Sequence, residues 1–252
     1  MRATSDRDSA AAPATPSGTA DRATLRAGGV AVIIAGLGGI LSVTLELLPP
    51  ALGFDDTDNP VVSLDYLRQY PQIYPVVGVT VFVMAIADIV ASFAVSDALA
   101  PRTSSITRRS LSALGLLTAA FLFMHGVLRE SVGPLLYVDA MNSGWGESAY
   151  LTILMLGTHG FAQASLLALG FWAVGISVAG ARSHALPIWL CVLGVISGLR
   201  LVILIAGPFL TAANVDLPGF FWFGSVALIP LGMLWWLALG VVLLVKSRSR
   251  RA

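Results

Sequence analysis

The sequence predicts an all-α fold, a polytopic membrane protein with six transmembrane helices and both termini in the cytoplasm. Two observations carry this. Of 252 residues, 56% are hydrophobic and 12% charged, and the apolar residues fall in blocks far longer than the core helix of a water-soluble domain needs. Basic residues flank those blocks on alternate sides, which sets the direction of each crossing.

Residues 1–26 are rich in Ala, Ser, Thr, Pro and Arg and have no apolar periodicity, so they are expected to form a disordered cytoplasmic tail. The first block, Ala27–Leu48, reads as a span rather than a signal peptide: it is long enough to cross, and no convincing small-residue cleavage site follows it. Five further spans are expected at Pro75–Val95, Ser110–Leu128, Ala149–Val178, Leu186–Ala206 and Phe220–Val245, each near or above the ~20 residues a bilayer requires. Together they make a transmembrane domain over 27–245, with a basic tail at 246–252. Arg2, Arg7, Arg22 and Arg26 precede the first span, Arg102, Arg108 and Arg109 follow the second, Arg182 follows the fourth, and Lys246, Arg248, Arg250 and Arg251 follow the sixth. The opposite loops carry Asp55, Asp56, Asp58, Asp65, Asp139, Glu147 and Asp216, with Arg68 the basic exception. That alternation puts both termini inside.

In the first outer loop, Asn59-Pro60 resembles a helix start. Tyr66, Tyr70 and Tyr74 then recur every four residues, a stripe suited to a short interfacial helix with its hydroxyls wet at the headgroup level. Pro71 and Pro75 are placed to end it. Small residues recur where helices should touch: Ala35 and Gly39 in the first span, and Gly194-Val-Ile-Ser-Gly198 in the fifth, a contact either within one subunit or between two. Pro230 is expected to kink the last span. No internal repeat is evident.

The chain has a single cysteine, Cys191, so no intramolecular disulfide and no cysteine-based metal site can form. The near-neutral charge and the lack of a basic groove give nucleic-acid binding no support. Ser131, Ser143 and Ser165 lack a nucleophile-elbow context, and the histidines lack tight HExxH-type clustering, so neither a serine hydrolase, a metal nor a cofactor is expected. His184, in a short cytoplasmic loop, is assigned no role.

The informative residues are the polar ones inside spans: Glu46, Asp88, His125, Arg129, Glu130, His159, Gln163 and Arg200, because such groups face the protein interior and often mark function. At ~1.5 Å per residue, Glu46, His125 and Arg129 fall within roughly 8 Å of the outer edge and Arg200 about 10 Å deep, with His159 about 15 Å and Asp88 and Gln163 about 20 Å deep. Spans of alternating direction do not produce a common depth by sequence position, so the set suggests one cavity open to the outside. His159 and Gln163, four apart, lie on one helix face, as do His125 and Arg129. Two readings of Asp88 stand: a structural ion pair with Arg200, or a protonatable carboxylate acting as acid or proton carrier. Glu46 and Arg129-Glu130 are close enough to the boundary for ordinary interfacial solvation.

The pattern His159-Gly160-x-x-Gln163, Leu169-Gly170-x-Trp172-x-x-Gly175 and Leu186-Pro187-x-Trp189-Leu190-x-x-Leu193-Gly194 resembles a large family of bacterial membrane proteins catalogued as domain-of-unknown-function family 4386. The resemblance is strongest over Leu154–Gly198, and elsewhere it is one of layout. It implies the six-span architecture in a bacterial inner membrane and draws attention to His159 and Gln163, without naming a reaction.

Three functional readings follow. The first is an outward-facing pocket that binds or moves a small solute, lined by Asp88, His125, Arg129, His159, Gln163 and Arg200. The second is an intramembrane enzyme acting on a lipid or isoprenoid, with Asp88 or Glu46 as proton donor and aromatic side chains around the substrate. The third is a structural or accessory subunit whose polar residues specify helix pairing. Membrane lipid and a small-molecule or lipid-like ligand are the expected partners, and the oligomeric state is left open.

Overall fold

The computed structural model describes residues 22–46, 48–54, 69–129, 155–212 and 227–249, with isolated positions at 62, 66, 148, 149, 152, 153 and 219. Six long helices organise it: α1 (Arg22–Glu46), α2 (Ile73–Leu99), α3 (Ser105–Val127), α4 (Gln163–Arg182), α5 (Ile188–Ala212) and α6 (Ile229–Ser249). Each is long and apolar enough to cross a membrane, as a multi-pass integral membrane protein requires. There is no strand among the described residues.

The helices form a closed ring. Each packs against its sequence neighbours, α1 through α6 in order, and α6 closes onto α1. α2 and α5 therefore lie across the ring from each other, as do α3 and α6.

The ring is inside-out relative to a water-soluble bundle. On α2, Val76, Val79, Val83, Ile86, Val90 and Phe93 form an exposed apolar face at helical spacing, while the buried face carries Asp88, Ser92 and Ser96. A surface of that kind suits lipid, and the polar groups turn inward where other helices can meet them.

Glycines set the closest approaches. A Cβ at Gly170 would stand 2.9 Å from the carbonyl oxygen of Gly198, and one at Gly198 2.5 Å from that of Gly170. The same reciprocity joins Gly29 of α1 to Gly240 of α6, at 2.9 and 2.8 Å. Without side chains between them the backbones pack directly, the principle of small-residue motifs in membranes. The Gly194–Gly198 motif is thus spent within the chain: Gly198 meets α4, and Gly194 makes room for Ser177 and Trp235.

One end of the ring is solid. Leu25, Val95, Leu99, Leu111, Ile176, Leu190, Leu239 and Leu243 form one buried apolar cluster, all at the end where α1 starts and α6 finishes. At this end Ser104 caps α3, accepting a hydrogen bond from the Thr107 amide at 3.1 Å. α4 ends with His184 in the left-handed conformation (φ 51°), and the Ala185 and His184 amides donate back to Gly180 and Ala181 at 3.0 and 3.2 Å. This is a Schellman closure with histidine where glycine is usual. Lys246 donates to the Ala185 carbonyl, and Arg102 to that of Ser183, so two of the basic residues at this end satisfy loop carbonyls.

Several boundaries differ from the sequence expectation. α1 begins at Arg22, so residues 22–26, expected in the tail, belong to the helix; residues 1–21 lie outside the described residues. α5 runs to Ala212 rather than Ala206. The last long helix starts at Ile229, with Ala227 helical and Leu228 a turn just before it, so Pro230 lies in a first turn that follows a break in helical regularity, where its missing N–H breaks no bond of α6; residues 220–226 of the expected span lie outside the described residues. Pro75 likewise falls in the first turn of α2. Tyr66, expected to keep its hydroxyl wet, is 4% exposed, with its ring 5.2 Å from Phe54 and 5.5 Å from Tyr70. The interfacial helix itself lies mostly outside the described residues, as does Glu130.

Candidate functional site

Opposite the solid end, the ring encloses a cavity of about 310 Å³ to which all six helices contribute. Its lining is mostly apolar, from residues such as Ala35, Val81, Leu122, Leu166, Leu204 and Met233. Asp88 from α2, His125 from α3 and Arg200 from α5 enter it together. Three of the residues singled out by depth therefore share one space.

Their levels agree because the helices are longer than expected. Asp88 lies about 16 Å from the Leu99 end of α2, and Arg200 about 18 Å from the Ile188 end of α5, at ~1.5 Å per residue. The six additional residues of α5 move Arg200 from near the rim to the middle of its helix. On opposite sides of the ring, the two side chains face a common volume.

They do not pair. Asp88 is 5% exposed, its Oδ1 has no hydrogen-bond partner among the described residues, and no ion pair there joins it to Arg200. Ser92 donates to the Asp88 backbone carbonyl at 2.7 Å, not to the carboxyl. Arg200 is half-buried and has contacts of its own. The ion-pair reading of these residues is thus not what the fold builds.

His125, 5% exposed, is held by a break in helical regularity. Leu156–Ala162, just before α4, is a π-helical turn. The wider turn releases backbone carbonyls from the ordinary ladder, and His125 Nδ1 lies 2.9 Å from the Gly157 oxygen. A carbonyl can only accept, so Nδ1 carries the hydrogen, and in the neutral ring Nε2 is an acceptor.

The hydroxyls in the lining divide into two groups. Thr118 donates to Leu114 at 3.0 Å, and Ser165 to Ala162 at 2.8 Å; with those hydrogens spent on their own helices, they can offer only lone pairs to the cavity. Ser197 of α5 is 4% exposed, and its hydroxyl has no partner among the described residues. The aromatic wall comes from α6. Trp235 and Trp236 both line the cavity, and Trp236 stacks on Trp172 of α4 at 5.5 Å between ring centres.

The other residues singled out by sequence are placed as follows. Gln163 is half-buried and engaged, but its helix lines the cavity through Ser165, Leu166, Leu169 and Ala173. Arg129 lies just past the end of α3, is also engaged, and is not in the lining. Glu46 ends α1 and His159 sits in the π-helical turn; the side chains of both lie outside the described residues. The sequence did not single out Thr118, Ser197, Trp235 or Trp236, and Ser165 was considered there only as a nucleophile. Serines and threonines are common in membrane helices, so only the ring geometry distinguishes those that face the cavity. No group of three or more His, Cys, Asp or Glu stands together among the described residues. Compared with known proteins, the chain matches no protein-family model, no curated protein and no solved structure.

Proposed function

We propose that this multi-pass membrane protein, with both termini on the cytoplasmic face of the inner membrane, binds a small solute in its intramembrane cavity and can pass it toward the outer side. The observation that carries this is Asp88: a carboxyl almost fully buried, its Oδ1 without a partner among the described residues, bordering a cavity lined by every helix of the ring. A buried polar group left unmet costs about 1–3 kcal/mol. A solute that satisfies it gives the arrangement a use. The apolar plug at the terminus-bearing end makes the opposite side the direction of access.

The test is a panel of small solutes offered to the purified protein in nanodiscs, read by thermal shift. At least one should stabilise it saturably, and Asp88→Asn and the cavity-filling Ala173→Phe should each remove the effect. If no solute saturates, or the two variants bind as the parent does, the reading fails.

A second reading is favoured by Trp235 and Trp236, which line the same cavity as Asp88: acid-initiated chemistry on a lipid or isoprenoid, whose cationic character aromatic faces would stabilise. Membranes fed prenyl substrates would form product with the parent and none with Asp88→Asn. Turnover unchanged by that substitution removes the role.

A further inference from the structure

On the outside of the ring, at the end where α1 starts and α6 finishes, a groove of about 1100 Å³ runs between α1 and α2. Its origin is local. Gly28 packs onto Ala94 and Gly38 onto Met84, which draws the two helices together, and between those contacts Ala31 and Ala87 are too small to fill the seam, so they form a buried floor. Val30 and Ile34 of α1 and Val83, Ile86 and Val90 of α2 stand exposed as its banks. At its mouth are Arg22 and Arg26, four residues apart and so on one face of α1. Both are exposed. Arg102 and Lys246 at this end are spent on loop carbonyls, whereas Arg22 and Arg26 make no ion pair or side-chain hydrogen bond among the described residues. Asp97, the carboxylate of α2 nearest this end, is not in the lining.

We propose that this groove binds an anionic phospholipid of the leaflet at that end, with its phosphate at Arg22 and Arg26 and an acyl chain laid along the seam between α1 and α2. The site lies outside the ring and does not depend on the solute-binding reading. A groove that is cationic at one end and apolar along the rest matches an amphiphile with a negative head. The guanidinium fork pairs with phosphate oxygens in a fixed geometry, and basic residues at a membrane face attract anionic lipid. Length agrees as well. Arg22 to Ile34 spans about 18 Å of helix at ~1.5 Å per residue, and one leaflet's share of a ~30 Å hydrocarbon core is about 15 Å, so the groove runs from the headgroup level to the bilayer middle. Its volume exceeds the range of about 300–1,000 Å³ usual for small-molecule clefts. A second copy of the chain is the poorer occupant: inserted in the same sense, it would bring its own arginines to the same level, like charge against like.

The full chain in dodecyl maltoside is titrated with dioleoyl phosphatidylglycerol, dioleoyl phosphatidylcholine, dioleoylglycerol and glycerol phosphate, and bound molecules are counted by native mass spectrometry. One phosphatidylglycerol should bind saturably, about ten-fold or more tighter than each other probe. Arg22→Gln together with Arg26→Gln should weaken it about ten-fold. Ala27→Trp, which fills the groove from an exposed position and keeps both charges, should do the same. Arg109→Gln together with Arg182→Gln, exposed residues at the same end and outside the lining, should leave binding within about two-fold. Circular dichroism and size-exclusion profiles establish that each variant keeps the fold. Should a groove variant fail to fold, the parent's ranking of the four probes and the Arg109 and Arg182 pair decide. Equal binding of phosphatidylcholine or dioleoylglycerol removes the anionic headgroup from the assignment, and equal binding of glycerol phosphate reduces the site to a contact for free anions. An equal loss from the Arg109 and Arg182 pair replaces the site by diffuse surface charge, Ala27→Trp binding as the parent does puts the lipid elsewhere, and a dimer that takes up no lipid gives the groove to a second copy. Each of these results overturns the proposal and leaves the reading of the cavity untouched.

Discussion

His125 of α3 and Gly157, in the π-helical turn before α4, are joined by a 2.9 Å hydrogen bond from the ring Nδ1 to the backbone carbonyl. The bond ties two neighbouring helices at the rim of the cavity and fixes which ring nitrogen is left to face it. His125→Leu removes the donor and leaves the carbonyl unmet, at a cost of about 1–3 kcal/mol. Unfolding in mixed micelles should show that loss for Leu and a smaller one for Gln, which retains a donor. Equal stability of His125→Leu and the parent would mean the bond contributes nothing.

The reciprocal glycine contacts predict a sharp contrast among small substitutions. Gly198→Ala places a methyl 2.5 Å from the Gly170 carbonyl and 2.7 Å from Val174 Cγ2, whereas at Gly39 the nearest atom is Met84 Cε at 3.8 Å. Overpacking of this kind costs about 1–3 kcal/mol, so Gly198→Ala should lower the melting temperature while Gly39→Ala leaves it near the parent's. A similar drop for both would remove the close crossing as the explanation.

Asp88 offers the clearest separation of function from structure. Because its carboxyl has no partner among the described residues, Asp88→Leu should stabilise the ligand-free protein by about 1–3 kcal/mol while abolishing solute binding. A carboxyl that held helices together would behave in the opposite way. Destabilisation by Asp88→Leu in chemical unfolding would favour the structural reading.

Topology is open to thiol labelling. Cys191 is 3% exposed, so the parent should resist a membrane-impermeant maleimide on either side. In a Cys191→Ser background, Ser249→Cys at the end of α6 should react in inside-out vesicles and not in intact cells. Labelling of intact cells would reverse the proposed orientation.

Much of the architecture was readable in advance because the bilayer imposes a coarse rule. A segment of about 20 apolar residues must be a helix, since no other element satisfies its own backbone in lipid. The polar residues inside spans were visible for the same reason: Asp88, His125 and Arg200 stand out against an apolar background. Which of them meet was harder. Gln163 shares its helix with the lining yet stays out of it, and Arg129 lies beyond the helix that carries His125. Boundaries failed where the chain continues its helix past the apolar block, as α5 does.

By itself, then, the sequence determined that six helices form and which few polar groups they carry, because those properties depend on local composition and on a solvent that forbids unpaired backbone. Only the tertiary structure decided that the helices close into a ring through Gly29 with Gly240 and Gly170 with Gly198. It alone decided that Asp88 and Arg200 face one cavity without pairing. Those outcomes depend on the rotation of each helix about its axis, which a π-helical turn or a few residues of extra length resets, and no single segment encodes the rotation of its neighbour.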